Sequence, residues 1–385
     1  MRKLSIKIID ILSILTFFIC FIKAQTFQYY NLMIIFFSLI AFPFLFFRVV
    51  SINKEEFKKM NNINVGLVIF ISIIIIITLI TQANIIKTMV FSAKVLMIFM
   101  LIEYATITNN KKRVEKIFFK LLLIFLIIND LKIITIGGEI QEYTAMYMLG
   151  SKFMVSYLHI LLLALYYKSY KNKIIGLVLT IISLYICMKV MCTTGLIGVV
   201  IFTLLNFFQN RINLSFLKKP KTIITVLIIF CAISYVFSYI VQIDFIKYFI
   251  VNVLHESLTL TGRLKIYELN LDLIKNSPLI GYGFENIEQL LYSKLLVYNS
   301  QNALTECILY YGIPNTIILL LNIKNIFKMN YLNGADKNNP YISIIYTLAI
   351  LGCVEISINI IFFICLALMI ESKKGSDLNE INVKK

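Results

Sequence analysis

The sequence predicts an all-α polytopic membrane protein, with about twelve transmembrane helices and a large folded extracytoplasmic loop between the late helices. Three observations carry that prediction. The chain of 385 residues is 59% hydrophobic and only 15% charged, with a mean hydropathy of +0.86, so it has too little charge to coat a soluble domain of that size. Its apolar residues fall into runs near the ~20 residues a helix needs to cross a bilayer. Its lysines and arginines gather in alternate connections between those runs, as the positive-inside rule requires.

In chain order the apolar runs are 4–22, 29–50, 65–81, 85–107, 114–136, 153–167, 174–192, 195–208, 222–243 and 302–327. A last run, 341–370, is long enough for two short helices with a break near Gly352. Met1, Arg2 and Lys3 lead into the first run with no small-residue cleavage site, which predicts a retained first helix. Arg2, Lys3 and Lys7 set that start in the cytoplasm. Lys54, Lys58 and Lys59 return there, as do Lys111, Lys112, Arg113 and Lys116. Lys168, Lys171 and Lys173 follow, then Arg211, Lys218, Lys219 and Lys221. The facing connections are short or acidic, as at Glu139 and Glu142.

Continuing the alternation divides the chain into helices over 1–243, an extracytoplasmic loop over 244–300, C-terminal helices over 301–371 and a cytoplasmic tail over 372–385. The tail returns to the cytoplasm if 341–370 is a helical pair. The net charge of +17 sits in the short loops that orient such a chain, so it implies no nucleic-acid partner. The seven cysteines lie in or beside apolar runs without pairing or metal spacing, and read as small core residues. No metal and no cofactor is expected.

The longest polar interruption runs from His255 to Pro314. Residues 264–275 mix Leu, Ile and Tyr with charge at helical spacing, and Asn276-Ser277-Pro278 ends that helix, because proline disfavours a helical residue before it. Gly281 and Gly283 bracket Tyr282 and allow a tight backbone path. A second amphipathic helix is expected over 287–296. Together these form a cap of short helices at the membrane surface.

Several residues of this stretch can carry chemistry. Of the five arginines, Arg2, Arg48, Arg113 and Arg211 map to the cytoplasmic side, and only Arg263 lies outside. A guanidinium holds two phosphate oxygens at once and stays charged; the alternative is a surface Arg paired with Glu256 or Glu268. Lys87 and Lys94, seven apart, share a helix face, and Lys132 and Lys189 lie near the outer ends of their spans. These lysines are either a cationic floor for an anionic lipid or side chains that reach for head groups. His255 and Glu256 are candidate proton acceptors, whereas His159, within an apolar helix, reads as a satisfied core residue. Gln301 and Asn302 suit sugar hydroxyls or phosphate. Tyr267, Tyr282, Phe284, Tyr292 and Tyr298 offer flat faces to sugar rings or simply anchor at the interface.

The order Gly262-Arg263, Tyr267, Ser277-Pro278-Leu279-Ile280-Gly281-Tyr282-Gly283, Asn302 and Gly312 resembles the O-antigen ligase/polymerase superfamily of bacterial membrane glycosyltransferases. The resemblance covers about sixty residues; elsewhere only hydropathy matches. Two departures stand out. The histidine that precedes the asparagine in that superfamily is Gln301 here, and its upstream Ser-Arg motif is replaced by Cys192-Thr193-Thr194-Gly195. The ligase branch depends on that histidine, so its absence favours the polymerase branch, of the Wzy type.

The resemblance implies a metal-independent transferase that joins oligosaccharide repeat units carried on undecaprenyl diphosphate, at the outer face of the inner membrane. Arg263, His255 and Glu256 become its catalytic candidates. Gly262, Tyr267, Gly281, Tyr282, Gly283, Gln301, Asn302, Lys94 and Lys189 become its candidates for substrate binding. The partners implied are the lipid-linked oligosaccharides, membrane lipid and a chain-length regulator. The alternatives are a ligase of the same superfamily, and a flippase or transporter for lipid-linked glycan. A transporter more often has paired repeats and broken helices in both halves.

Overall fold

The computed structural model describes residues 8–22, 30–50, 54–141, 144–170, 172–211, 215–240, 243–244, 248, 263–332 and 339–371. Among these the chain forms fourteen α-helices. In order they are α1 (Ile8–Phe21), α2 (Tyr30–Val50), α3 (Lys54–Ile80), α4 (Ile85–Ile107), α5 (Lys111–Thr135), α6 (Lys152–Ser169) and α7 (Lys173–Lys189). Then come α8 (Thr193–Arg211), α9 (Pro220–Ile240), α10 (Arg263–Asn276), α11 (Asn286–Leu295), α12 (Ala303–Leu332), α13 (Pro340–Leu351) and α14 (Ile360–Met369).

By length and composition, α4 and α12 are long and apolar enough to cross a membrane. Shorter apolar helices occupy Ile8–Phe21, Val65–Ile80, Thr193–Gln209, Pro220–Val236, Pro340–Leu351 and Ile360–Met369. The exterior is apolar as well. On α7, Ile174, Leu177, Ile181, Tyr185 and Met188 are all exposed at helical spacing. A continuous apolar flank of this kind suits lipid rather than water.

The run over 341–370 folds as a helical pair, with 352–359 as its connection. Both helices are enclosed: every residue from Ile361 to Met369 is buried. They pack against α4, α6, α8 and α9, so the hairpin forms the centre of the bundle. The all-α expectation omitted one feature. Between α5 and α6 the chain forms a small antiparallel sheet of β1 (Glu139–Gln141), β2 (Thr144–Tyr147) and β3 (Gly150–Ser151), in sequence order.

Charged contacts define one end of the bundle. Arg113 binds Asp10 through both Nε (2.6 Å to Oδ1) and Nη2, which joins the starts of α5 and α1. Lys111 Nζ donates to the Ile370 carbonyl at 2.7 Å, and Lys168 Nζ lies 2.7 Å from Glu371 Oε1. Within the bundle, His159 takes up its partners from neighbouring helices: Nε2 is 3.3 Å from Asp130 Oδ1, and Nδ1 is 3.3 Å from Ser183 Oγ. The amphipathic α10 and α11 lie at the opposite end, with the α3–α4 turn and the 352–359 connection.

Candidate functional site

A break in α12 anchors that end. Gly312 has φ 73° and ψ 168°, and Pro314 follows, so the helical hydrogen bonding is interrupted there. The carbonyls freed by the break are taken by the Ser277–Gly283 segment. Tyr282 N donates to Leu309 O at 2.7 Å and Gly283 N to Tyr310 O at 3.1 Å, while Ile313 N donates to Pro278 O at 2.8 Å. The segment thus lies against the broken helix like an added strand. Gly281 and Gly312 both have positive φ, and a Cβ on Gly281 would sit 2.7 Å from the Leu309 carbonyl oxygen. The Tyr282 hydroxyl donates to Leu273 O at 3.0 Å and closes the end of α10. Gly281, Tyr282 and Gly283 are therefore engaged in building the scaffold.

The same segment is tied to the α3–α4 turn. Asn286 Nδ2 donates to Thr81 O at 2.8 Å, and Lys87 Nζ pairs with Glu288 at 2.9 Å and with Glu285 at 3.6 Å. Lys87 is thus occupied as a clamp on α11. Lys94, two turns deeper on α4, lies beside Cys20 of α1, whose Sγ is 3.4 Å from the Lys94 carbonyl. Lys189 is exposed, 5.7 Å from the Tyr185 ring. Lys87 and Lys189 thus engage different partners, the first on α11 and the second on its own helix.

Arg263 opens α10, and its side chain is 29% exposed. Its Nε donates to Gln301 Oε1 at 2.6 Å, and its Nη2 lies 3.5 Å from Glu355 Oε1. Glu355 belongs to the connection between α13 and α14, and its side chain is 8% exposed. Burial pushes its carboxyl up to about 7, against the lowering effect of Arg263 and Lys152. Tyr267, one turn along α10, reaches the Gln301 and Cys353 carbonyls at 3.4 and 3.2 Å. Burial pushes that hydroxyl up to about 12. Arg263, Tyr267, Gln301 and Glu355 thus form one cluster drawn from α10, the turn before α12 and the α13–α14 connection.

Gln301 itself has φ 51°, a left-handed conformation that costs an L residue about 1 kcal/mol. The neighbouring Asn302 is fully buried and fully used. Its Nδ2 donates to Cys231 O at 3.1 Å and Ser234 Oγ at 2.7 Å, and its Oδ1 accepts from Thr305 N at 3.1 Å. Asn302 caps α12 and ties it to α9; Gln301 faces the cluster. Among the aromatic candidates, Phe284 packs on Tyr310 at 4.6 Å, and Tyr292 stacks on Tyr298 at 4.6 Å. His255, Glu256 and Gly262 lie outside the described residues.

Sequence reasoning did not single out Glu355, which lies 92 residues from Arg263. One signal was available: Glu355 is the only charged residue in the apolar run 341–370. An ionisable group in such a run is by default a functional candidate. Lys152, at the start of α6, was missed as well; it lies close enough to Glu355 to hold its carboxyl down. Compared with known proteins, this chain matches no family model and no curated protein. The chemistry of the site is therefore read from its own residues.

Proposed function

We propose that this protein is a polytopic membrane glycosyltransferase that joins oligosaccharide repeat units carried on undecaprenyl diphosphate. The observation that carries the reading is the placing of Arg263. It is a partly exposed side chain whose guanidinium is held by a neutral amide and a buried carboxylate, within the motif Gly262-Arg263 to Gly312. A transfer from a lipid diphosphate has to stabilise the charge that develops on the leaving group, and a preorganised guanidinium does this in a partly dehydrated site. The hydroxyl of an incoming unit attacks the anomeric carbon of the growing glycan, and the lipid diphosphate departs.

Setting aside the amphipathic α10 and α11 leaves twelve of the fourteen described helices for the membrane. The Arg113 end, with Lys111 and Lys168, would face the cytoplasm by the positive-inside rule, and the Arg263 end would face outward. Both termini are then cytoplasmic. Ser293, exposed on α11, tests the orientation. A Ser293→Cys variant, in a background free of other reactive thiols, is expected to react with an impermeant thiol reagent in intact cells. Reaction only after lysis sinks the orientation and the reading with it.

Activity is tested with the purified protein in liposomes supplied with lipid-linked repeat units. The expected product is a ladder of polymer without added metal or nucleotide sugar. Transfer to a different acceptor with no ladder would favour the ligase alternative, and movement of the units across the bilayer without new glycosidic bonds would favour a transporter.

A further inference from the structure

The transfer just described releases a proton from the attacking hydroxyl, and Gln301, which stands where the resembled superfamily has a histidine, cannot take it near neutral pH. The groups that surround the Arg263 guanidinium offer few acceptors. Tyr267 keeps its proton until about pH 12, since burial pushes its hydroxyl up. Burial also pushes the Cys353 thiol up, against the lowering effect of Arg263. Glu355 is the carboxylate of the cluster, and it touches the guanidinium directly at 3.5 Å.

We propose that Glu355 is the proton acceptor of this transfer, and that the incoming diphosphate frees it by taking over the Arg263 guanidinium. This rests on the glycosyl-transfer reading above. The geometry supplies both halves of it. Arg263 spends one side of its fork on Gln301 and the other on Glu355, so a phosphate that binds the same edge displaces the carboxylate. A displaced Glu355 loses the cation that favours its ionised form, becomes more basic, and gains proton affinity as the substrate arrives. The buried Tyr157 hydroxyl lies within electrostatic reach of Glu355 and has no hydrogen-bond partner among the described residues.

In the step itself, the hydroxyl oxygen forms the new bond to the anomeric carbon. The bond from that carbon to the phosphate oxygen breaks, and its electron pair leaves with the diphosphate held by Arg263. The hydroxyl proton passes to the Glu355 carboxylate and later to water. Besides burial, the charges that set its titration are Arg263 from α10 and Lys152 from α6, and Tyr267 from α10, Tyr157 from α6 and Cys192 from the α7–α8 turn lie within electrostatic reach of it.

The test is the pH–rate profile of polymer formation in liposomes, from undecaprenyl-diphosphate-linked repeat units. The wild-type kcat/KM is expected to rise through an apparent pKa near 7, that of Glu355 beside Arg263, and kcat through a higher one, because the bound diphosphate takes Arg263 away from the carboxylate. Glu355→Gln should abolish that limb and lower turnover by about 10²–10⁴, with KM little changed. Glu355→Asp should keep the limb at reduced rate. Lys152→Gln, which removes a cation that favours ionised Glu355, should move the limb to higher pH.

A Glu355→Gln enzyme with wild-type turnover and limb would overturn the proposal while leaving the transfer reading intact. So would a variant that merely accumulates less protein in the membrane and keeps the limb in what remains. A wild-type protein that makes no polymer at any pH removes the transfer reading itself, and the role of Glu355 falls with it.

Discussion

Arg113 and Arg263 stand at opposite ends of the molecule, each in the first turn of a helix, and each pairs with a carboxylate from a distant element. The two pairs are built differently. Arg113 places both arms of its fork on Asp10, with Nε at 2.6 Å, so its bonding capacity toward anions on that edge is used within the fold. Arg263 gives Nε to a neutral amide and meets its carboxylate at 3.5 Å through a single nitrogen. Arg113 is committed to joining two helices. Arg263 is positioned without being saturated, which is what a residue that exchanges partners during a reaction needs.

The largest expected effect comes from treating the two arginines alike. Arg263→Lys keeps the charge and loses the fork, and polymer formation is expected to fall by about 10²–10³, the usual cost of losing a preorganised contact to developing charge. Arg113→Lys should leave the rate within a small factor, because a partly exposed pair contributes ~0–1 kcal/mol. Equal losses in the liposome assay would erase the distinction between the two ends.

Next come the motif glycines, which belong to the scaffold. An Ala at Gly312 would drive a Cβ into the Leu279 carbonyl oxygen, at a φ of 73°. Gly312→Ala is expected to cost about 1–3 kcal/mol by overpacking and to lower the melting midpoint in detergent. Turnover per folded molecule should change little. A collapse of turnover with an unchanged midpoint would place Gly312 in the chemistry instead.

Gln301 and Asn302 sharpen the same contrast within adjacent residues. Asn302→Ala strands several buried groups and should lose ~1–3 kcal/mol of stability for each group left unpaired. Gln301→Ala should leave the midpoint nearly unchanged and lower the rate, because it releases the Arg263 Nε. The measurement is melting and turnover on both variants, and the reverse pattern would exchange their roles. The smallest effect is expected at Lys87. Its side chain is 41% exposed in the pairs with Glu285 and Glu288, so Lys87→Ala should cost ~0–1 kcal/mol and leave polymer length at the wild-type value.

The helices were legible in the sequence, because apolar runs and basic connections report local physics. The amphipathic α10 and α11 were legible for the same reason, from spacing and from the stop at Asn276-Ser277-Pro278. Arg263 was legible because the alternation of basic connections predicts it to be the one arginine on its side. What could not be read is whatever depends on distant partners. Gly281, Gly283 and Gly312 announced tight backbone, but nothing local says that the first two lie on carbonyls exposed by a break at the third. The acidic partners of Lys87 lie about two hundred residues further on, so its position in a span read as a floor for lipid or a reach for head groups, and not as a clamp on α11. Nothing beside Glu355 in the sequence points to Arg263, and only the hairpin of α13 and α14 brings the two together. The three-stranded sheet was missed because its strands are too short to establish a period.

The hairpin also bears on how the protein is made. The chain emerges in order, so Arg263 and the 278–283 segment are made before α12 exists to receive them, and Glu355 arrives last. Until residue 355 has been synthesised and the hairpin has entered the bundle, Arg263 lacks its carboxylate and Ala303 lacks the Gly352 carbonyl to which its N–H donates. Contacts of such long sequence separation form late. A nascent chain stalled anywhere before that point would hold most of its helices and still lack the Arg263–Gln301–Glu355 cluster. The cluster comes into being only once residue 355 has joined it, so on the proposed reading shorter copies are inert.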